Sequence, residues 1–295
     1  MNIMNAMNRL GVISDGISRD VRVAAETARA AGLSDIEFQY MWEFEVGDLP
    51  AARRREARQL VEDNGLRVSC ISRHIFARQT VHIEPDSKAY REQMDALKRC
   101  IDCAHELGAS TVRIMSCRRE TILFGGGGAE QWVVANGAWD KLLKLLEAPL
   151  ELAAREDVKL VIETGNGTMI NSAYTMGRLI DELDADGRLL ALWDPCNALY
   201  CGEPPCPDGA QALAGGKIGH VHIKDAVVRP QRATVNFCRL GEGDMAAHLQ
   251  GIADFLRAEN YAGSISLEST YRPDGGDFAD GFHESLPLFM QIYGA

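Results

Sequence analysis

Four short apolar runs in the 295-residue chain each lead to side chains that can bind a cation or move a proton. The run 158–163 closes on Glu163, and Thr164-Gly165-Asn166-Gly167 follow it. The run 189–194 closes on Asp194 before Pro195, and the run 263–268 closes on Glu268 before Ser269. The run 218–225 carries His220, His222 and Lys224 at alternate positions. Successive strand side chains point to opposite faces, so these three share one face, with Val221 and Ile223 on the other. The inward face of a barrel is normally apolar, and histidines there point to a ligand or a metal. Glu163, Asp194, His222 and Glu268 form an oxygen-rich set with one imidazole. That set suits a hard or borderline divalent ion, Mn²⁺ first, with Mg²⁺, Co²⁺ and Zn²⁺ as alternatives.

The elements that must position these residues alternate between β-branched runs and helical patterns. Strands are predicted at 10–14, 36–40, 67–71 and 111–115, then in runs ending at Glu163, Asp194, Asp225 and Glu268. Helices are predicted at 20–31, 51–64 and 87–107, stopped by Gly32, Gly65 and Gly108, and within 132–156. Further helices are predicted at 173–183, 210–214, 246–260 and 283–292, with 201–208 an irregular Pro- and Cys-rich loop. Eight strand–helix units without a linker predict a single (β/α)8 TIM barrel over 1–295, its site at the C-terminal strand ends. The proposed ligands fall at such ends.

With 46% hydrophobic and 25% charged residues, the composition is that of a globular protein. A formal charge of -11 argues against a general nucleic-acid-binding surface, and Arg53-Arg54-Arg55 reads as a solvated helix face. The first residues lack the apolar core of a secretory signal and no stretch approaches a membrane span, so a cytoplasmic protein without a membrane partner is expected. Cys70, Cys100, Cys103, Cys117, Cys196, Cys201, Cys206 and Cys238 are then expected as reduced thiols. Cys196, Cys201 and Cys206 are spaced more widely than usual zinc pairs and lack a nearby fourth ligand, which favours simple thiols. Cys100 and Cys103 fit the apolar face of a helix with Leu97 and Leu107.

The ordered set Glu163, Asp194-Pro195-x-Asn197, His220-x-His222-x-Lys224-Asp225, Leu240-Gly241-Glu242-Gly243-Asp244 and Ser266-Leu267-Glu268 resembles the sugar isomerase and epimerase superfamily with a xylose-isomerase-like barrel. The resemblance runs from Leu10 to Tyr293 and is strongest after Val158. It implies a divalent-metal-dependent isomerase or epimerase acting on a keto sugar or a derivative of one. In such chemistry a proton leaves the carbon beside a carbonyl and a cis-enediolate forms, stabilised by a divalent ion through a Lewis-acid effect worth several kcal/mol. The resemblance assigns the metal to Glu163, Asp194, His222 and Glu268, and in the epimerase branch gives the proton transfers to Glu163 and Glu268. A carboxylate pressed against a divalent ion is a weak base, which serves because the same ion acidifies the substrate. A carbohydrate is the implied partner, and a homodimer or homotetramer the implied assembly.

Asn197 stands where some ketohexose 3-epimerases carry a substrate-holding histidine, a departure from that subgroup's pattern; it is kept as a candidate substrate contact. His220 either orients a ligand or touches substrate. Lys224 either binds a substrate oxygen or is solvated. His74 is read as a sugar contact, while Glu37 is read equally as satisfying a buried polar partner. Trp42, Phe76 and Trp193 are core or wall residues before they are faces for a sugar ring. Arg229, Arg232 and Arg239 follow the seventh strand, where barrels often bind phosphate, although scattered surface arginines are the simpler reading. The loop 116–130 with glycines at 125–128 reads as a mobile lid or a disordered surface loop rather than a phosphate cradle.

The same residues suit other functions. A dehydratase or lyase acting on a keto-inositol or 3-keto-glycoside adds only departure of a β-leaving group, and strand seven resembles the inosose dehydratase-like branch at least as well as the ketose epimerases. Apurinic endonuclease relatives use a histidine-rich trinuclear zinc site, against seven histidines here, of which His105 and His248 fall in helices. A non-catalytic sugar-binding or partner subunit would be favoured by loss of a ligand, and all four are present.

Overall fold

The computed structural model describes residues 9–119, 137–183 and 185–294. Eight parallel strands close into a barrel: β1 Arg9–Ile13, β2 Asp35–Phe38, β3 Arg67–Ser72, β4 Thr111–Ile114, β5 Lys159–Glu163, β6 Leu189–Trp193, β7 Ile218–Ile223 and β8 Ser264–Leu267. Each pairs with its neighbours in sequence, and β8 closes on β1 through Arg9 to Val12 opposite Ser264 to Leu267. Helices α1 Val21–Ala30, α2 Ala51–Asp63, α3 Lys88–Leu107, α4 Ala138–Arg155, α5 Ala173–Leu183, α6 Leu249–Ala258 and α7 Phe278–Tyr293 lie between and after the strands. This is the (β/α)8 barrel expected from the alternation.

Local chemistry sets the ends of these elements. Asp20 caps α1 by accepting from the Arg22 and Val23 amides, and Ser87 caps α3 by accepting from Tyr90. At the far end of α3, Gly108 takes the left-handed conformation (φ 73°) that a side chain resists. The final helix begins at Phe278, five residues before its predicted start, because Asp277 and Asp280 form a capping box there.

The apolar core is split unequally. Most of it lies between the strands and the helices, while the barrel interior holds a small separate cluster of Cys70, Val161 and Leu192 with Leu190 against it. Buried polar residues fill much of the remaining interior: Glu37, Ser72, Arg113, Glu163, Asp194, His220, His222 and Lys224. Each must find a partner inside the protein, so the strands present a prearranged polar network at one end of the barrel.

Two irregularities in strand pairing serve that network. The β2–β3 register shifts at Ile36/Glu37, and the β6–β7 register shifts beside His220. Such bulges re-aim side chains, and here they sit at residues that bond each other across the barrel.

Two hairpins were absent from the predicted elements. Tyr40–Met41 pairs with Phe44–Glu45 where the second strand was expected to continue to Tyr40. Asp225–Arg229 pairs with Thr234–Cys238 beyond β7. Asp225 holds the latter in place by accepting from the amides of Ala226, Gly241, Gly243 and Met245, and a Cβ on Gly243 would meet Asp225 Oδ1 at 2.3 Å. The Gly-Glu-Gly sequence after the hairpin is therefore a close-approach requirement. A short helix, Pro195–Leu199, follows β6 directly. The glycine-rich stretch 125–128, read as a lid or loop, and the start of the predicted helix at Trp132 lie outside the described residues.

Candidate metal centre and active site

Glu163 ends β5, Asp194 follows β6 as the N-cap of the short helix, His222 lies in β7, and Glu268 follows β8. One ligand atom from each can be chosen so that all four lie within 4.8 Å of one another. The sequence separates Glu163 from Glu268 by more than a hundred positions, and barrel closure brings them to one point. Thr164 locks two of the strand ends together, accepting from the Asp194 amide at 3.0 Å and donating to its carbonyl at 3.1 Å.

The imidazole of His222 is held in one orientation. Its Nε2–H donates to Glu37, with the two carboxylate oxygens at 3.0 and 3.1 Å. A carboxylate only accepts, so the other nitrogen faces the cluster. That Nδ1 is buried and has no hydrogen-bond partner, with Glu268 Oε2 at 3.6 Å and Glu163 Oε1 at 4.0 Å. An orphaned ring nitrogen among carboxylate oxygens, backed by a carboxylate on its other side, fits a divalent cation.

Glu37 is the hub beneath the cluster, fully buried, and accepts from His220 Nε2 at 2.6 Å and from Ser72 Oγ as well as from His222. Burial pushes its carboxyl up, but the two imidazoles outweigh burial and hold it well below the usual carboxylate range. Burial pushes His222 down, but Glu37 with Glu268 and Glu163 raises it to about 9. A metal ion bound at Nδ1 of His222 would have to displace a proton from it.

Lys224 is buried rather than solvated, and its ammonium bridges Asp194 Oδ2 at 2.6 Å and Glu268 Oε2 at 2.7 Å. Burial pushes its pKa down, yet the carboxylates outweigh burial and it stays charged. Burial raises Asp194, whereas Lys224, His222 and Arg113 overcome burial at Glu268 and keep it ionised. The lysine thus supplies a positive charge to oxygens that a divalent ion would also use. Lys224→Met is expected to destabilise the metal-free protein by the ~3–5 kcal/mol typical of a broken buried ion pair, read as a lower melting temperature. Mn²⁺ should then raise the melting temperature of the variant more than that of the wild type, as read by scanning fluorimetry. Equal metal-induced shifts would show that Lys224 does not compete for these oxygens.

The remaining sequence candidates separate into two groups. Asn197 joins the cluster: its side-chain amide donates to Asp194 Oδ2 at 2.8 Å and reaches Glu163 Oε1 at 3.3 Å. His74 is nearby and open to solvent, with Arg113 Nη2 at 3.4 Å; Arg113 first, then burial, lowers it to about 4. His220 differs from the substrate-contact reading, being 1% exposed with Nε2 against Glu37 and 3.2 Å from Ser266 Oγ. It holds the hub. Trp193 and Phe76 are core residues, packed on Phe255 and Tyr90, and Trp42 lies under the Arg53 guanidinium. Arg229 and Arg239 pair with Asp244 and Glu242.

Arg113 was missed by the sequence reading. It is 2% exposed and donates to Glu163 Oε2 at 2.7 Å, which fixes that carboxylate from behind. A charged residue between Val112 and Ile114 in a barrel strand was the signal that could have found it. Among the described residues all eight cysteines are free, and no helix is long and apolar enough to cross a membrane.

These features define a (β/α)8 barrel protein with a carboxylate–imidazole cluster at the C-terminal ends of four strands. Residues 25–289 match the family described as xylose isomerase-like TIM barrel, and the chain belongs to that family. An inosose dehydratase of Geobacillus thermodenitrificans is 25% identical over 206 residues, covering 63% of this chain and 66% of the relative. The match thus spans just under two thirds of that relative. Among solved structures, the 3-keto-D-glucoside 4-epimerase YcjR of E. coli superposes with a TM-score of 0.73 at 19% identity, over 96% of this chain and 99% of that one. A xylose isomerase-like TIM barrel/4-hydroxyphenylpyruvate dioxygenase fusion protein gives 0.70 at 20% identity, over 97% of this chain and 44% of the fusion. These two likenesses show the fold.

Proposed function

We propose that the protein is a divalent-metal-dependent sugar isomerase or epimerase that moves a proton at the carbon beside the carbonyl of a keto sugar or sugar derivative. The observation that carries this reading is the unpartnered Nδ1 of His222 between the Glu163 and Glu268 carboxylates. Glu163, Asp194, His222 and Glu268 would hold the ion, which supplies Lewis-acid polarisation of the substrate oxygens. Glu163 and Glu268 approach from different strands, so one can take the proton and the other return it on the opposite face or on the neighbouring carbon. Arg113 keeps Oε2 of Glu163 occupied and leaves Oε1 toward the cluster. Asn197 steadies Asp194 and Glu163 together.

A dehydratase is the second reading, supported by the inosose dehydratase relative and by Lys224. Once a site carboxylate has taken the proton beside the carbonyl, the Lys224 ammonium, 2.7 Å from Glu268, can give a proton to the β-hydroxyl, so that water leaves as the β C–O bond breaks and a C=C bond forms. Proton-exchange NMR in D₂O with Mn²⁺, on a panel of ketoses, keto-inositols and 3-keto-glycosides, tests both. Deuterium at the carbon beside the carbonyl, lost on chelation, is expected, and the product distinguishes isomerisation or epimerisation from loss of water. No exchange with any compound would overturn the reading in favour of a binding subunit.

A further inference from the structure

Among the described residues four large hydrophobic side chains are exposed: Val23, Tyr174, Phe237 and Phe278. Two of them, Phe237 and Phe278, each 40% exposed, line one cavity of about 390 Å³ that also contains Glu268. They come from separate elements, Phe237 from the hairpin strand Thr234–Cys238 and Phe278 from the first turn of α7. Exposed aromatic rings cost hydration and are not needed to close the barrel, so their convergence beside a site carboxylate calls for a ligand that covers them.

The placement of both rings is built. The Asp225 carboxylate and the glycines it bonds hold the hairpin down, and Lys224 Nζ lies 5.6 Å from the Phe237 ring centre. The Arg272 guanidinium lies 4.9 Å from the ring centre of Phe278, and Ser269 Oγ donates to the Phe278 carbonyl at 2.8 Å. Polar groups share the cavity: Asp15 Oδ1 is buried without a hydrogen bond, its nearest cation being Arg19 Nε at 3.5 Å, and Gln39 lines both this cavity and the neighbouring one beside His74. At ~30 Å³ per water, the volume holds about a dozen waters, space for one ring beside the reacting sugar. A free ketose over the carboxylates would leave these aromatic faces wet.

We propose that this cavity is a second binding subsite for the aglycone of a glycoside, a ring joined through a glycosidic bond to the sugar that reacts at the carboxylate cluster. The assignment rests on the reaction proposed above and narrows its substrate class to keto-glycosides. Phe237 and Phe278 supply apolar faces for the aglycone ring, and Gln39 supplies an acceptor and donors for hydroxyl groups at its edge. The chemistry asked of the aglycone is a ring with an apolar face, which a phenyl group and a second pyranose both present.

Isothermal titration of the Mn²⁺-loaded protein with the 3-keto derivatives of methyl β-D-glucoside, phenyl β-D-glucoside and cellobiose, called below by the names of their parent glucosides, tests the subsite by affinity. Phenyl glucoside should bind about tenfold more tightly than methyl glucoside, and Phe237→Ala or Phe278→Ala should remove most of that gain while leaving methyl glucoside binding unchanged. Phe237→Tyr should restore it. A gain for cellobiose without one for phenyl glucoside identifies a second sugar as the aglycone; the reverse identifies an aromatic one. Equal affinity for all three compounds, no binding of any, or a preference that survives both alanine variants overturns the subsite. Deuterium exchange with free ketoses would in those cases leave the proposed reaction standing, so the two failures are separable.

Discussion

Glu163→Gln and Glu268→Gln should each slow proton exchange at the carbon beside the carbonyl by about 10³-fold, within the range that positioned acids and bases contribute. Glutamine keeps the shape of the side chain but cannot take up a proton, and it is a poorer ligand for a hard cation. The two variants should differ in stability. Arg113 is 2% exposed and donates to Glu163, so Glu163→Gln leaves a buried guanidinium without its hydrogen-bonded carboxylate and with only the more distant Glu37 and Glu268. Lys224 retains Asp194 when Glu268 is replaced. The melting temperature should therefore fall clearly in Glu163→Gln and little in Glu268→Gln, while both lose exchange. Full turnover in either variant would end the proposal that these carboxylates move the proton.

The second large effect is expected at Glu37, which touches none of the other carboxylates in the cluster yet holds His222 and His220. Glu37→Gln should weaken Mn²⁺ binding about 10–100-fold, because a histidine ligand depends on its outer partner for tautomer and basicity. It should also change the pH dependence of the metal-free protein. His222 is raised from 6.5 to about 9, so its stabilising contribution is complete below pH 6.5 and is lost as pH rises through about 9. Glu37 is lowered from 4.5, so its contribution is complete above pH 4.5 and is lost only in stronger acid. Wild-type melting temperature in chelator should thus fall between about pH 6.5 and about pH 9. The Glu37→Gln curve should be flatter there, since the raised pKa depends on the carboxylate. Parallel curves for the two proteins would show that Glu37 does not hold the His222 proton.

The barrel was legible in the chain because its signals are local. Strand–helix alternation, the stops at Gly32, Gly65 and Gly108, and acids at the ends of apolar runs need only neighbouring residues to be seen. Because a (β/α)8 barrel gathers the C-terminal ends of its strands, the same local signals also brought Glu163, Asp194, His222 and Glu268 together on paper. The sequence by itself thus determined the architecture and which four side chains meet.

What those side chains touch was decided by the tertiary structure. Glu37 and His220 are 183 positions apart, and two register shifts aim them at each other, a displacement that strand parity cannot reveal. Lys224 had the same alternation as the histidines, but only barrel closure shows its ammonium between two carboxylates instead of in water. Arg113 lacked a recognisable partner until β4 and β5 paired and set Glu163 beside it. Phe237 and Phe278 lie in segments the local pattern left unassigned, a hairpin and the first turn of a helix, and converge beside Glu268 only in three dimensions. Local periodicity records which face a residue occupies; its partner, and hence its charge state and its use, is set by contacts between distant parts of the chain.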